Sequence, residues 1–285
     1  MDDMIIIGDD PTGISSLQQF LCCQFEMKDL GLLSYFLGLE ISQDSSSYFL
    51  TWAKYISNLL AHVGLTDCKT TATLVNPQTR LTPLEGSLLS NATLYRQLVG
   101  NLIYLTVTRP DIAYVVHIVN QFIAAPRSPH YDAMICILHY LKSTLFYSLH
   151  YSAQYSLQLH AFSDVDCAGD TANHRSTTGF CFFLNNSLIT WHSKKQTLVA
   201  RSISHFAAIN LCDNQSAIQI AYVFYGCIKH IEIDCHFIRQ YVTRGTVRLL
   251  FVTSVDQTAD LFNKSHHGRF SNLLAKLKLI SAFPP

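Results

Sequence analysis

The sequence predicts an α+β chain, and three observations predict it. Apolar residues alternate with others at Leu33, Tyr35, Leu37, Leu39 and Ile41, and strand-like runs return at Leu157 to Phe162, Phe180 to Leu184 and Leu188 to Trp191. Between residues 53 and 141 the apolar positions recur at helical spacing instead. Acidic clusters stand at the edges of two strand-like runs: Asp2-Asp3 directly before Met4-Ile5-Ile6-Ile7, and Ser163-Asp164-Val165-Asp166 after Leu157 to Phe162. Carboxylates so placed are the pattern of a divalent-metal site. Mg²⁺ takes hard oxygen ligands in octahedral geometry, and paired ions clamp the attacking and leaving oxygens of a phosphoryl transfer.

In chain order, Met4 to Ile7 reads as a short apolar strand closed by the turn Gly8-Asp9-Asp10-Pro11. A helix follows, capped by Ser15 or Ser16, with Leu17, Phe20, Leu21 and Phe25 on one face. The alternating segment Leu33 to Ile41 reads as a strand, with Tyr48 to Thr51 as its hairpin partner. Ile56, Leu59, Leu60 and Val63 form a helical stripe ended by Gly64 in the place of a left-handed cap. Residues 66 to 93, rich in Thr, Ser, Pro and Asn, read as a connecting loop. Leu98, Leu102 and Leu105 line the next helix, and Thr108-Arg109-Pro110 and Ser128-Pro129 each set a capping hydroxyl before a helix-starting proline. Beyond residue 155 come three antiparallel strands, the last two joined at Asn185-Asn186. Leu211-Cys212-Asp213 gives a fourth strand entering a helix at Ser216, and Val247 to Val252 a fifth. A helix lies between them over about Ile228 to Arg244, and a last one begins near Asp256.

Composition bounds the function. With 285 residues and 49% hydrophobic content the chain can bury a sizeable core. Charged residues are only 14%, against roughly 25% in typical soluble domains, which predicts poor solubility. Twenty basic residues balance twenty acidic ones, so the basic surplus usual for phosphate contacts is absent overall, although a local basic groove remains open. The nine cysteines are spread out with no Cys-x-x-Cys pair, which reads as reduced core thiols in an intracellular compartment, cytoplasm or nucleus. Acidic residues at positions 2 and 3 leave no basic start for a signal peptide, so the chain is expected not to be secreted. No uncharged apolar run reaches the ~18 residues of a membrane span, and neither a membrane nor a small-molecule cofactor is expected as a partner.

Asp164, Asp213 and Asp260 share a setting, each at a strand end or at the helix entrance just beyond one. Singly each is also an ordinary turn or N-cap aspartate. Three antiparallel strands, helix, strand with Asp, helix, strand, helix with Asp is, however, the element order of the ribonuclease H fold. Longer runs carry a more specific resemblance. Tyr95-Arg96-Gln97-Leu98-Val99-Gly100-Asn101-Leu102-Ile103-Tyr104-Leu105 followed by Thr108-Arg109-Pro110-Asp111-Ile112-Ala113-Tyr114 resembles the region between polymerase and ribonuclease H in copia-type LTR retrotransposon Pol polyproteins. Met1-Asp2-Asp3-Met4-Ile5 resembles the second half of the reverse transcriptase Tyr-Val-Asp-Asp motif, and Asp29-Leu30-Gly31 through Leu37-Gly38-Leu39-Glu40 resembles the palm hairpin after it. Ser163-Asp164-Val165-Asp166, Arg175-Ser176-Thr177-Thr178-Gly179, Ser193-Lys194-Lys195-Gln196, Cys212-Asp213-Asn214, Lys229-His230-Ile231 and Asp256-Gln257-Thr258-Ala259-Asp260 match the family's ribonuclease H segment in order.

The resemblance implies a reverse transcriptase palm remnant over 1–52, a mostly helical thumb and connection over 53–155, a ribonuclease H-like mixed sheet with flanking helices over 156–268, and a tail over 269–285. In an intact relative Asp2 and Asp3 would bind Mg²⁺ or Mn²⁺ for RNA-directed DNA synthesis on a template-primer. Asp164, Asp213 and Asp260 would bind the ions that activate water against the RNA strand of an RNA/DNA hybrid. Two departures lower both expectations. The chain begins at the aspartate pair, so the first polymerase aspartate is expected to be missing. After Ala200-Arg201-Ser202 the family runs Ser-Thr-Glu-Ala-Glu-Tyr, with a metal-binding glutamate, whereas this chain reads Ile203-Ser204-His205-Phe206-Ala207-Ala208 and reaches Leu211 almost at once. A segment of about 30 residues is expected to be deleted near 204–210, more than a core helix of ~11, leaving a sheet face without its cover.

The expected function is a truncated, internally deleted copy with polymerase activity absent, ribonuclease H severely impaired, and metal binding weak or absent. The alternative is a non-catalytic nucleic-acid-binding or host-adapted interaction protein using the thumb and Lys194-Lys195. Lys229-His230, Glu232 and Asp234-Cys235-His236 offer zinc-type ligands, but the resemblance assigns them to a helix flanking the ribonuclease H site. No Gly-x-Ser-x-Gly elbow marks a nucleophilic serine.

Overall fold

A computed structural model describes residues 4–25, 27–71, 74, 81–154, 157–166, 175–196, 209–212, 244, 248–264 and 274–281. Its N-terminal stretch departs from the sequence reading. Met4 to Ile7 forms no strand, because a strand exists only through a ladder and no described residue pairs with it; Ile7 is exposed. Helix α1 (Pro11–Gln24) starts earlier than expected, at Asp10, whose side chain accepts from the Thr12 N–H at 3.0 Å, with Pro11 in the first turn. Ser16 lies inside the helix, its hydroxyl donating to the Thr12 carbonyl. The apolar face read from the sequence is exposed at Leu17, Phe20 and Phe25, and α1 has no buried residue.

The expected strand Leu33 to Ile41 is a hairpin of two. β1 (Tyr35–Phe36) and β2 (Leu39–Gln43) pair antiparallel around Leu37 and Gly38, both at positive φ, 50° and 94°. That tight turn needs left-handed backbone at both central residues, and a Cβ on Gly38 would come 2.8 Å from the Trp52 ring. β3 (Ser47–Thr51) returns along β2 as read from the sequence, and α2 (Ala53–Val63) ends at Gly64 in the left-handed conformation, φ 74°.

Helices α3 (Ala92–Leu105), α4 (Ala113–Asn120) and α5 (Ser128–Ser143) pack with α2 around Ile56, Leu60, Tyr95, Leu102, Val119 and Leu138. The expected hydroxyl caps do not form. A 3-10 turn (Pro110–Ile112) precedes α4, and the Thr108 hydroxyl is buried without a hydrogen-bond partner. At α5 the capping pair is Arg127 and His130, with the Arg127 N–H donating to His130 Nδ1 at 3.0 Å. The Arg109-Pro110-Asp111 run is structural. Arg109 and Asp111 form a two-pronged ion pair at 2.7 and 2.9 Å, wholly buried, completed by the Tyr140 hydroxyl on Asp111 and by Thr144 accepting from Arg109.

β4 (Tyr147–Ser152) falls in the stretch expected to be mostly helical. It pairs antiparallel with β3 and, on its other side, with β10 (Leu279–Ser281), giving a sheet of order β1-β2-β3-β4-β10. The second sheet contains β5 (Leu159–Val165), β6 (Thr177–Leu184), β7 (Ser187–Lys195), β8 (Ile209–Cys212) and β9 (Leu249–Phe251) in the order β7-β6-β5-β8-β9. β5, β6 and β7 are antiparallel, with the β6–β7 turn at Asn185 (φ 52°) and Asn186, while β8 and β9 run parallel to β5. Leu149 and Leu279 of the first sheet share a core with Cys181, Phe183 and Leu188 of the second and with Phe262. No described helix is long and apolar enough to cross a membrane.

Candidate functional site

Asp164 lies within β5, not beyond it, and its register partner on β6 is Gly179. The empty side of Gly179 admits a 3-10 turn (Thr258–Phe262) onto the sheet: a Cβ there would sit 2.7 Å from the Ala259 carbonyl oxygen and 2.8 Å from Phe262 Cβ. This turn stands where a helix beginning near Asp256 was expected. Gln257 caps it, its side-chain oxygen accepting from the Ala259 N–H, and ties it to β5 by donating Nε2–H to the Ser163 carbonyl at 3.3 Å. Gly179 and Gln257, both inside sequence runs singled out above, thus act by setting how closely two backbones approach.

The outcome is that Asp260, on the turn, meets Asp164, on the strand. Lys264 Nζ lies 2.7 Å from Asp164 Oδ2 and 2.8 Å from Asp260 Oδ1, and Asn263 Nδ2 donates to Asp164 Oδ2 at 2.8 Å. Asp164 and Asp260 are both buried, whereas the Lys264 side chain is 41% exposed. Burial would raise the Asp164 carboxyl, yet hydrogen bonds from Asn263 and Lys264 hold it below the usual range. Burial pushes Asp260 up to about 6; Lys264 opposes that and the neighbouring Asp164 carboxylate adds to it. Two crowded carboxylates have separated, one ionised and one inclined to keep its proton. Burial alone would depress the Lys264 ammonium, but the two carboxylates reverse that and hold it above its ordinary value.

Of the aspartates expected at metal sites, the structure brings Asp164 and Asp260 together. Asp2, Asp3 and Asp213 lie outside the described residues, as do the zinc-type segment 229–236, the helix expected over 228–244 except its last residue, and positions 204–208 of the scar expected over 204–210. Among the described residues no group of three or more His, Cys, Asp or Glu side chains is gathered for a metal ion. A divalent ion does not fit the pair as it stands, since the point where the two carboxylates meet is filled by an ammonium and Asp164 Oδ2 also takes a donor from Asn263. Asn263 and Lys264 were missed in the sequence. The spacing of Lys264 from Asp260, one helical turn on, was the available signal.

A family model for reverse transcriptase (RNA-dependent DNA polymerase) matches residues 1–77. The chain is 34% identical over 316 residues to the retrovirus-related Pol polyprotein from transposon RE1 of Arabidopsis thaliana, covering 100% of this chain and 22% of that one. It is 30% identical to the Pol polyprotein from transposon TNT 1-94 of Nicotiana tabacum, covering 93% of this chain and 23% of that one. An uncharacterized mitochondrial protein of Arabidopsis thaliana is 39% identical over 202 residues, 71% of this chain and 84% of its own length. The chain therefore spans about a fifth of the Pol polyproteins it matches. No solved structure matches.

Proposed function

Since the chain belongs to the copia-type retrotransposon Pol family, as a fragment of such a polyprotein, we propose that its 285 residues span the end of a reverse transcriptase palm, the thumb and connection, and a ribonuclease H-like unit. The ancestral chemistry of that last unit is hydrolysis of the RNA strand of an RNA/DNA hybrid, and this copy does not perform it. The observation that carries the reading is the second sheet. An antiparallel trio, β7-β6-β5, is continued by two strands parallel to β5, the layout expected of a ribonuclease H fold, with Asp164 on its first strand and Asp260 beside it.

Two further facts support the loss of activity. The matches to transposons RE1 and RE2 each run over 316 residues for a chain of 285, as relatives carrying extra residues inside the matched span would give. The described carboxylates hold an ammonium, which neutralises charge but offers no coordination position for a nucleophilic water.

The test is cleavage of an RNA/DNA hybrid by the 285-residue chain in Mg²⁺ or Mn²⁺, with Asp164→Asn as background. Cleavage no faster than that background is expected. Brisk cleavage abolished by Asp164→Asn would overturn the proposed inactivity. Tight, salt-dependent hybrid binding without cleavage would instead favour a non-catalytic nucleic-acid-binding protein.

A further inference from the structure

Lys264 forms one compact station with Asp164 and Asp260. Its ammonium has three N–H donors, of which two are directed at Asp164 Oδ2 and Asp260 Oδ1. The partners come from separate parts of the chain: Asp164 from β5, Asp260 from the 3-10 turn, and Lys264 from just beyond that turn. Gly179 and the two hydrogen bonds of Gln257 fix the turn on the sheet, so the carboxylates are held together by the backbone and not by the lysine alone. The lysine side chain is nevertheless 41% exposed, so rotation about its own bonds carries the ammonium straight into water.

We propose that Lys264 is a built-in cation that occupies the meeting point of Asp164 and Asp260 and keeps a divalent ion out of it until the lysine swings away. The proposal rests on the reading that these two aspartates descend from a metal-binding set. The physical basis is competition. A tethered ammonium four residues from Asp260 faces its site at an effective concentration on the order of millimolar or higher, so an ion supplied at millimolar concentration gains little against it. Removing the ammonium leaves two crowded carboxyl groups that repel one another or share a proton, and a divalent ion relieves that crowding by displacing the proton.

The measurement is thermal unfolding of the full chain with and without 5 mM Mn²⁺, expected to be saturating at roughly ten times the dissociation constant of an unblocked site. The parent and Lys264→Arg are expected to show no shift. Lys264→Gln is expected to gain about 3 °C, and Lys264→Gln combined with Asp164→Asn to lose that gain. A Mn²⁺ shift in the parent that disappears in Asp164→Asn would overturn the blocking role while upholding the ancestral metal pair. No shift in either the parent or Lys264→Gln would overturn both. Should Lys264→Gln fail to fold, amine acetylation of the parent decides the matter: Lys264 is expected to react several-fold more slowly than the exposed Lys194, with or without 5 mM Mn²⁺. Equal rates for the two lysines, in either condition, would refute the proposal.

Discussion

Arg109 and Asp111 are two residues apart, fully buried, and hydrogen-bonded to each other, to Tyr140 and to Thr144. The guanidinium also lies 5.8 Å from the ring centroids of both Tyr140 and Tyr147, so the pair fastens the corner before α4 to the end of α5 and to β4. Replacing Asp111 by Asn strands a buried cation, and a loss of about 3–5 kcal/mol is expected in urea unfolding. Replacing both members with apolar residues of similar volume should cost far less, because no charge is then left unpaired. His130 is a second residue whose chemistry is fixed by position. Its Nδ1 accepts from the Arg127 N–H, its Nε2 lies 3.0 Å from the Thr82 carbonyl, and its ring stacks on Phe122 at 3.9 Å. Burial holds its pKa below the ordinary imidazole value, and a proton on Nδ1 would remove the acceptor that caps α5. Below about pH 6.5 the unfolded chain therefore binds a proton that the folded chain refuses, and stability is lost as pH falls. Urea midpoints between pH 7.5 and 5.5 should decline in the parent and decline less in His130→Asn. His117 and His192 are also depressed by burial, so the slope should shrink without vanishing.

At the scale of elements, the sequence was most legible where one periodicity ran unbroken. The α2 stripe with its Gly64 cap, the β2–β3 hairpin and the antiparallel trio β5–β7 lie where the pattern puts them. It was least legible where an element depends on a neighbour. Leu17, Phe20 and Phe25 have helical spacing, yet nothing in a spacing supplies a surface to cover them. Asp164 and Asp260 were legible as acidic residues near strand ends, but the lysine between them follows from a turn docking against Gly179, a contact between positions about eighty apart in sequence. Gly179→Ala tests that docking. Its methyl group would meet backbone and Phe262 Cβ, neither of which can yield as a flexible side chain does. A loss of about 1–3 kcal/mol is expected. Acetylation of Lys264 should quicken in the variant as the turn lifts from the sheet. A variant as stable as the parent, with Lys264 still protected, would show that the turn does not depend on the close approach.

Across the whole molecule, β4 and β10 join what the sequence reading kept apart. β3, from the proposed palm remnant, pairs with β4 at the end of the connection, and β10, from the proposed tail, pairs with the other edge of β4. Leu277 and Leu279 are buried in the core shared by both sheets. A chain ending at residue 268 loses these two leucines and uncovers Leu149, with each buried leucine worth about 1.5–3 kcal/mol. Such a truncation is expected to lower the unfolding midpoint well below that of the 285-residue chain and to promote association through the exposed edge of β4. A truncated chain that is monomeric and equally stable would show that the tail strand contributes nothing.

The sequence by itself determined the mixture of helix and strand, the family, the antiparallel trio and the candidate aspartates, because each is written in local spacing or in contiguous runs of residues. The tertiary structure decided which apolar faces are covered, that β4 and β10 extend the first sheet, that Arg109 and Asp111 serve as a buried fastening, and that Lys264 sits between Asp164 and Asp260. The division has a physical reason. Periodicity, caps and turn chemistry act within a few residues of each other, whereas burial, edge pairing and the charge surrounding a carboxylate depend on groups that only folding brings within a few ångströms.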